Sequence, residues 1–381
     1  MNATLAVRGL DTLLFRDGRP FDATPGSIAN GLPVAYPSTL AGFLRTRAGE
    51  RAGNFAPARA LEVRGPLLRR DGRILYPAPA DAVPYRETDS GPLRLMRLRP
   101  FSPPAGAGCD NPSGMLPLAV DADLKPEEGY RWWDADAMSA WLADEEPRLT
   151  AEPGPPLDER VHVAVKADTG TAEDGRLFST RMVAFERWND TGQLARFDYL
   201  VRVAGPDGVD VPRGPGAFGG ERRLAVIEDA DGWPACRTEV ARRLAGAPRV
   251  RAVLATPALF NRGWMPGWLD RTTREGTPPG LDGLTLRLVA AAVPRRQAVS
   301  GWDFAAAGRQ RPKPVRWLAP AGAVYFFEVV DGEPAVLAER AWLTSISDLE
   351  FEEDGTTPVA NNRLDGFGLA LWGTWNPKDR I

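Results

Sequence analysis

Strand-like alternation in this chain is repeatedly broken by proline- and glycine-rich stretches, which limits it to short strands and helices joined by turns. Residues 4–14 alternate moderately and end in Arg16-Asp17-Gly18-Arg19-Pro20, so they read as a strand running into a turn. Residues 37–49 begin with a proline, carry hydroxyls in the first turn and put Leu40, Phe43 and Leu44 on one face, so they read as a helix. Asp71-Gly72 between residues 60–68 and 73–76 is a hairpin signal. Strand patterning returns at 161–165, 176–185, 195–203 and 222–227, and again at 250–255, 284–293, 323–330 and 366–374. Helices are expected at 134–143, 235–244 and 334–342.

With 381 residues the chain exceeds the usual size of one core. The expectation is an α+β protein of two ferredoxin-like, RNA-recognition-motif-like domains with large insertions. The first spans 1–245, with an insertion at about 78–156 rich in proline, glycine and charge. The second spans 246–381, with a basic aromatic insertion at about 294–317. An apolar content of 43% beside 25% charged residues is that of a folded chain. No apolar run reaches membrane-spanning length and residues 1–10 have no leader pattern, so a cytoplasmic location is expected. Cys109 and Cys236 are far apart and outside any CxxC, which predicts two ordinary thiols rather than a disulfide framework or zinc site.

The formal charge of −3 gives no hint of a nucleic-acid partner, but its distribution does. Residues 121–160 hold twelve acids and four bases, whereas 249–316 hold twelve bases and four acids. That segregation suits one surface facing phosphate, and it also fits ordinary solvated faces. Lysine occurs only at positions 125, 166, 313 and 378, so arginine supplies nearly all positive charge. The joint abundance of Ala, Gly, Pro and Arg points to coding bias as the cause.

Signatures of phosphate-binding loops, nucleophile elbows, zinc proteases and calcium loops are all missing. The single histidine, His162, alternates with Val161, Val163 and Val165, the setting of a packed sheet histidine. Glu350, Glu352, Glu353 and Asp354 form a charge run without the fixed separation that acid–base or metal chemistry needs. No catalytic residue, metal or cofactor is expected.

Features suited to RNA are better populated. Arg16 and Arg19 flank a glycine in a turn, which suits either an RNA contact or a plain surface hairpin. Ser38 and Thr39 at a helix start can receive a phosphate for a gain of roughly 0.3–1 kcal/mol, or simply cap the helix. Gly216-Ala217-Phe218-Gly219-Gly220-Glu221-Arg222-Arg223 is a glycine-rich loop delivering an arginine pair. Between 294 and 317, Arg295, Arg296, Arg309, Arg311, Lys313 and Arg316 are interleaved with Trp302, Phe304 and Trp317. Cations neutralise phosphates there while rings stack on bases, each stacked base contributing roughly 1–3 kcal/mol. Asn361-Asn362-Arg363 leads into Gly366-Phe367-Gly368 and Trp372-Gly373, glycines where a second backbone can come close.

Taken in order, Phe15-Arg16-Asp17-Gly18-Arg19-Pro20-Phe21, Tyr36-Pro37-Ser38-Thr39-Leu40-Ala41-Gly42-Phe43-Leu44-Arg45, the glycine-rich loop, and Lys313-Pro314-Val315-Arg316-Trp317 running to Phe327 carry a family likeness. The chain resembles the third subunit of the Cmr module, the 5′-end-capping member of type III-B CRISPR complexes and one of the RNA-binding RAMP proteins. The 78–156 stretch matches nothing in that pattern.

The resemblance implies two ferredoxin-like domains and a non-catalytic subunit that holds the repeat-derived 5′ handle of the guide RNA. The implied partners are that handle, the large polymerase-like subunit, neighbouring backbone RAMP subunits and, indirectly, target RNA. By position it assigns RNA contacts to Arg16, Arg19, Ser38, Thr39, Arg222, Arg223, Lys313 and Arg316. Arg295, Arg296 and Trp302 join them on composition alone. Two other readings stay open: a metal-independent endoribonuclease with His162 as base, and a scaffold whose arginines meet only protein partners.

Overall fold

A computed structural model describes residues 2–16, 28–29, 31–88, 90–104, 106–108, 110–112, 114–120, 125–188, 192–303, 311–351, 358–360 and 362–377. Asp17, Gly18, Arg19, Cys109, Phe304, Arg309, Glu352, Glu353, Asp354 and Asn361 lie outside the described residues. The architecture is mixed α/β, mostly strands with few helices. Its contacts form two compact units, Met1–Gly72, Gly154–Gly232 and Ala298–Trp317 in one, and Arg73–Pro153, Trp233–Gln297 and Leu318–Ile381 in the other. This division differs from a single cut near residue 245. The stretch expected as an insertion of the first domain groups with the second unit, and most of the basic aromatic insertion groups with the first.

In the first unit, strands Gly214–Ala217, Leu224–Asp229, Asn2–Gly9, Leu194–Ala204 and Glu62–Arg70 lie side by side in that order. Asn2–Gly9 pairs antiparallel with both neighbours, matching Leu5 to Val201 and to Asp229. The strand is shorter than the alternation suggested, because the chain bends at Leu10 and Asp11 before Leu13 and Leu14 make isolated bridges. Leu5, Val7, Val63, Phe197, Tyr199, Val201 and Ile227 are fully buried in the sheet.

The helix Pro37–Ala52 buries Leu40, Phe43, Leu44 and Ala48, the spacing that a 3.6-residue period puts on one face. Pro37 occupies the first turn, where its missing N–H costs nothing, and left-handed Gly53 ends the helix by donating to the carbonyls of Glu50 and Gly49. Asp71 and Gly72 both take positive φ, 49° and 77°, as the Asp-Gly pair predicts. A smaller sheet joins Leu157–Val165, Ala172–Val183 and Ile28–Ala29.

In the second unit the strand order is Glu275–Gly276, Thr285–Ala292, Val324–Asp331, Arg249–Leu254, Leu369–Thr374 and Thr344–Ser345. Helices Ala135–Leu142 and Thr238–Leu244 pack on Leu369–Thr374. Gly373 is required there, since a Cβ would collide with the backbone of Leu142. Asp134 caps its helix by accepting from the Ala137 amide at 2.8 Å. The helix expected at 334–342 is only one turn, Val336–Glu339.

The 73–153 segment belongs to this unit because of a buried charge network. Arg251, on Arg249–Leu254, is 2% exposed and pairs with Asp81, which is 0% exposed. Trp141 Nε1 donates to the other oxygen of Asp81 at 2.9 Å, and Arg251 also donates to the Trp141 carbonyl. The guanidinium of Arg97 lies 3.5 Å from the centre of the Trp141 ring. Removing one partner of such a pair strands a buried charge. Asp81→Ala is therefore expected to lower stability by about 3–5 kcal/mol in urea unfolding, whereas exposed Asp136→Ala leaves the transition nearly unmoved.

Candidate nucleic-acid interface

Three of the sequence motifs meet in the first unit through their aromatic residues. Phe43, from the helix, stacks on Phe218, from the glycine-rich loop, with centroids 4.7 Å apart and planes 20° apart. Phe15 meets the same Phe218 ring at 5.0 Å and 58°. All three rings are at most 6% exposed. Such pairs contribute about 0.5–1.5 kcal/mol each beyond burial, so they hold their loops firmly.

The glycines of this loop are needed for that approach. A Cβ on Gly216 would sit 2.9 Å from the side chains of Phe43 and Arg47. Gly219 has φ +78°, and a Cβ there would meet the Leu14 carbonyl at 2.8 Å. That carbonyl accepts from the Gly220 amide at 2.8 Å, and the Phe218 amide donates to the Arg223 carbonyl at 2.8 Å, closing the loop.

Arg16 is exposed at the end of this strip, where it bridges Gly31. Ser38 and Thr39 are half-buried in the first helical turn. Their hydroxyls make no hydrogen bond among the described residues, and no side chain caps this helix start. The preceding Tyr36 donates its hydroxyl to the Ala298 carbonyl at 3.0 Å, tying the helix start to the segment that leads into the basic hairpin. That hairpin pairs Trp302–Asp303 with Arg311–Pro312. The Lys313 amide donates to the Gly301 carbonyl at 2.8 Å, its carbonyl accepts from Ser300 Oγ at 2.9 Å, and its side chain is exposed. Arg316 is half-buried and Trp317 is 47% exposed.

The paired arginines of the glycine-rich loop have different surroundings. Glu221 and Arg222 both take left-handed backbone, φ 59° and 52°, a conformation costly for residues with side chains. Arg222 is exposed and pairs with no carboxylate among the described residues. Arg223 Nη1 donates to Asp11 Oδ2 at 2.7 Å and to Thr12 Oγ1 at 3.3 Å, and Nη2 reaches Glu221 Oε2 at 3.4 Å. The Thr12 amide, with Arg223 and Arg160 beside it, holds the Asp11 carboxyl below the usual range. Arg222, Arg223, Leu10 and Asp11 line a shallow hollow of about 320 Å3.

The first unit thus gathers Arg16, Ser38, Thr39, Arg222, Arg223, Lys313 and Arg316, while Arg295 and Arg296 belong to the second unit, both exposed. Trp302 contributes its backbone to the hairpin; its side chain lies outside the described residues.

His162 Nε2 sits 2.9 Å from Thr180 Oγ1, and its ring stacks on Phe178 at 5.3 Å and 15°. Among the described residues no group of acidic, histidine or cysteine side chains has a metal-binding arrangement. Burial pushes the Cys236 thiol up to about 12, which keeps it protonated. No described helix is long and apolar enough to cross a membrane.

Two features escaped the sequence reading. Trp188 is 69% exposed on Glu186–Trp188, beside exposed Arg187. On the strand pair Leu157–Val165 and Ala172–Val183, Leu157, Val161, Val163, Val165 and Leu177 all point to solvent. The alternation located the strand, but it does not state which face is covered.

No curated protein matches the chain in sequence. Two of the solved chains that match show low identity. One, from a cryo-EM structure of the type III-B Cmr-beta bound to cognate target RNA, is 15% identical with a TM-score of 0.49, over 85% of this chain and 86% of that one. The other, from the same complex bound to cognate target RNA and AMPPnP in state 1, is 14% identical with a TM-score of 0.46, over the same shares. The family model described as CRISPR-associated protein (Cas_Cmr3) matches residues 5–375, nearly the full length. The chain therefore belongs to the Cas_Cmr3 family of CRISPR-associated proteins.

Proposed function

We propose that this protein is the subunit of a type III-B Cmr effector that binds the repeat-derived 5′ handle of the guide RNA, without a catalytic step of its own. The observation that carries the reading is the aromatic junction of Phe15, Phe43 and Phe218, which brings three separated motifs into one unit. The same unit holds donors suited to a phosphate backbone: exposed Arg16, Arg222 and Lys313, and the helix start at Ser38 and Thr39. Arg223, held by Asp11, Thr12 and Glu221, positions the loop rather than the RNA. The large polymerase-like subunit and the backbone RAMP subunits are its partners in this reading.

Each unit is read further as a ferredoxin-like module. In the first, Asn2–Gly9, Glu62–Arg70, Leu194–Ala204 and Leu224–Asp229, numbered one to four along the chain, lie in the order four-one-three-two. In the second, Arg249–Leu254, Thr285–Ala292, Val324–Asp331 and Leu369–Thr374 have the same order. The helices are reduced: the first unit has its full helix only after the first strand, and the second has a single turn after its third.

Arg16→Ala combined with Arg222→Ala is expected to weaken handle binding about tenfold, roughly 1.4 kcal/mol, with melting curves verifying that the variant folds. An unaltered dissociation constant refutes the assignment. The slope of log affinity against log salt is expected to fall by about 0.7 for each phosphate contact removed. Arg223→Ala is expected to lower the melting temperature more than Arg222→Ala, because Asp11 and Glu221 lose their shared cation. RNA that co-purifies from native cells is expected to carry uniform repeat-derived 5′ ends, and scattered ends would overturn the capping role. Chelator-resistant RNA cutting that disappears in His162→Ala would replace it with the endoribonuclease reading.

A further inference from the structure

The hairpin of Leu157–Val165 and Ala172–Val183 takes no part in the arrangement above, and it leaves both an apolar face and a backbone edge unused. Leu157–Val165 is the outer strand of its sheet, with Ala172–Val183 on one side only. Val161, Val163 and Val165 are 63%, 45% and 59% exposed, and Leu177, opposite Val163, is 55% exposed. The other face carries the stack of His162 on Phe178 and the buried Thr180 and Met182.

The register fixes which backbone groups point outward. Opposed residues of an antiparallel pair alternate between those that exchange hydrogen bonds and those that do not. The Ala184 amide donates to the Pro156 carbonyl at 2.9 Å, which marks that pair as bonded. Next comes Leu157 opposite Val183, and Val183 exchanges both of its bonds with Leu13 on the far side, at 2.8 and 2.9 Å. The register runs without a shift from Leu157 to Val163. By the same parity the amides and carbonyls of residues 157, 159, 161 and 163 therefore face away from Ala172–Val183, and none has a backbone partner among the described residues.

Soluble proteins blunt an outer strand with proline, lysine, a bulge or a covering segment. Residues 157–163 contain no proline, lysine or bulge, and no described segment pairs with their outer edge.

The hairpin's charges indicate which kind of partner fits. Arg160 pairs with Asp158 at 2.8 Å, Arg176 with Glu173 at 3.0 Å and Arg181 with Glu159 at 2.9 Å. These arginines are thus neutralised by the hairpin's own carboxylates, and Lys166 stands at the turn, beyond the valines. Such a surface offers a phosphate backbone little, and it complements an uncharged apolar strand.

We propose that this edge accepts an extended segment of a protein subunit, apolar at every second residue, which continues the sheet beside Leu157–Val165 and covers Val161 and Val163. In strand addition main-chain bonds supply the affinity and alternate side chains the specificity. The proposal rests on the reading of this chain as one subunit of a multisubunit effector, but on none of the handle contacts.

Hydrogen exchange read residue by residue, for the chain alone and for the effector purified from native cells, tests this. In the chain alone the amides of Glu159, Val161 and Val163 are expected to exchange at least tenfold faster than those of Arg160 and His162. In the effector the same three are expected to slow at least tenfold. Val161→Pro removes an outward amide without removing a bond to Ala172–Val183. It is expected to abolish the slowing, with melting curves verifying that the variant folds. Independently, p-benzoylphenylalanine in place of Leu177 is expected to photocross-link a different protein subunit of the effector. Adducts with RNA or with a second copy of this chain overturn the proposal, as do outward amides that exchange equally fast in both states or a slowing that survives Val161→Pro. A chain that co-purifies with no other subunit overturns the effector reading along with it.

Discussion

The stacking of Phe43 on Phe218 governs what the first unit can do, because it sets how close a helix start and a glycine-rich loop can come. Phe43 is six residues into its helix, so the first turn lies about 9 Å along the axis from the contact. Any residue larger than glycine at 216 would force the loop away from Phe43 and Arg47. Phe15 extends the junction to a third segment and packs toward Tyr199, whose hydroxyl accepts from the Ala35 amide at 3.3 Å just before the helix. Exposed Arg16 and Arg222 and half-buried Ser38 and Thr39 thus inherit their positions from buried rings.

The second unit depends on charge rather than aromatic stacking alone. Desolvating Asp81 and Arg251 is costly, and the pair persists because Trp141 supplies a donor to the carboxylate and a carbonyl to the guanidinium. Burial, with Arg251 nearby, brings Arg97 down to about 10, and the Trp141 ring face partly compensates it. A proline- and glycine-rich stretch that looks like a surface insertion thereby becomes part of a core.

Adjacent residues of one motif can have opposite roles, as Arg222 and Arg223 illustrate. Sequence chemistry treats them alike, yet the strained turn at Glu221 and Arg222 sends one guanidinium to solvent and the other to Asp11. Likewise, Arg295 and Arg296 share a basic run with Lys313 and Arg316 but belong to the other unit, since the chain crosses between units near residue 297. A formal charge of −3 reveals none of this.

Most elements were legible in the sequence because they follow local rules. The proline start and apolar spacing gave the helix Pro37–Ala52, Asp71-Gly72 gave the left-handed turn, and alternation gave the central strands of both sheets. The family was legible too, through motifs spread over the chain. The grouping of 73–153 with the second unit was not, because it rests on contacts such as Asp81 with Arg251, 170 residues apart. Nor was the solvent-facing side of Leu157–Val165, since a period of two marks two faces without saying which is covered. By itself the sequence determined the local elements, the family and the types of side chain available for RNA. Only the tertiary structure decided which of those side chains stand together and which are held in internal pairs, because burial and ion pairing join residues far apart in the chain.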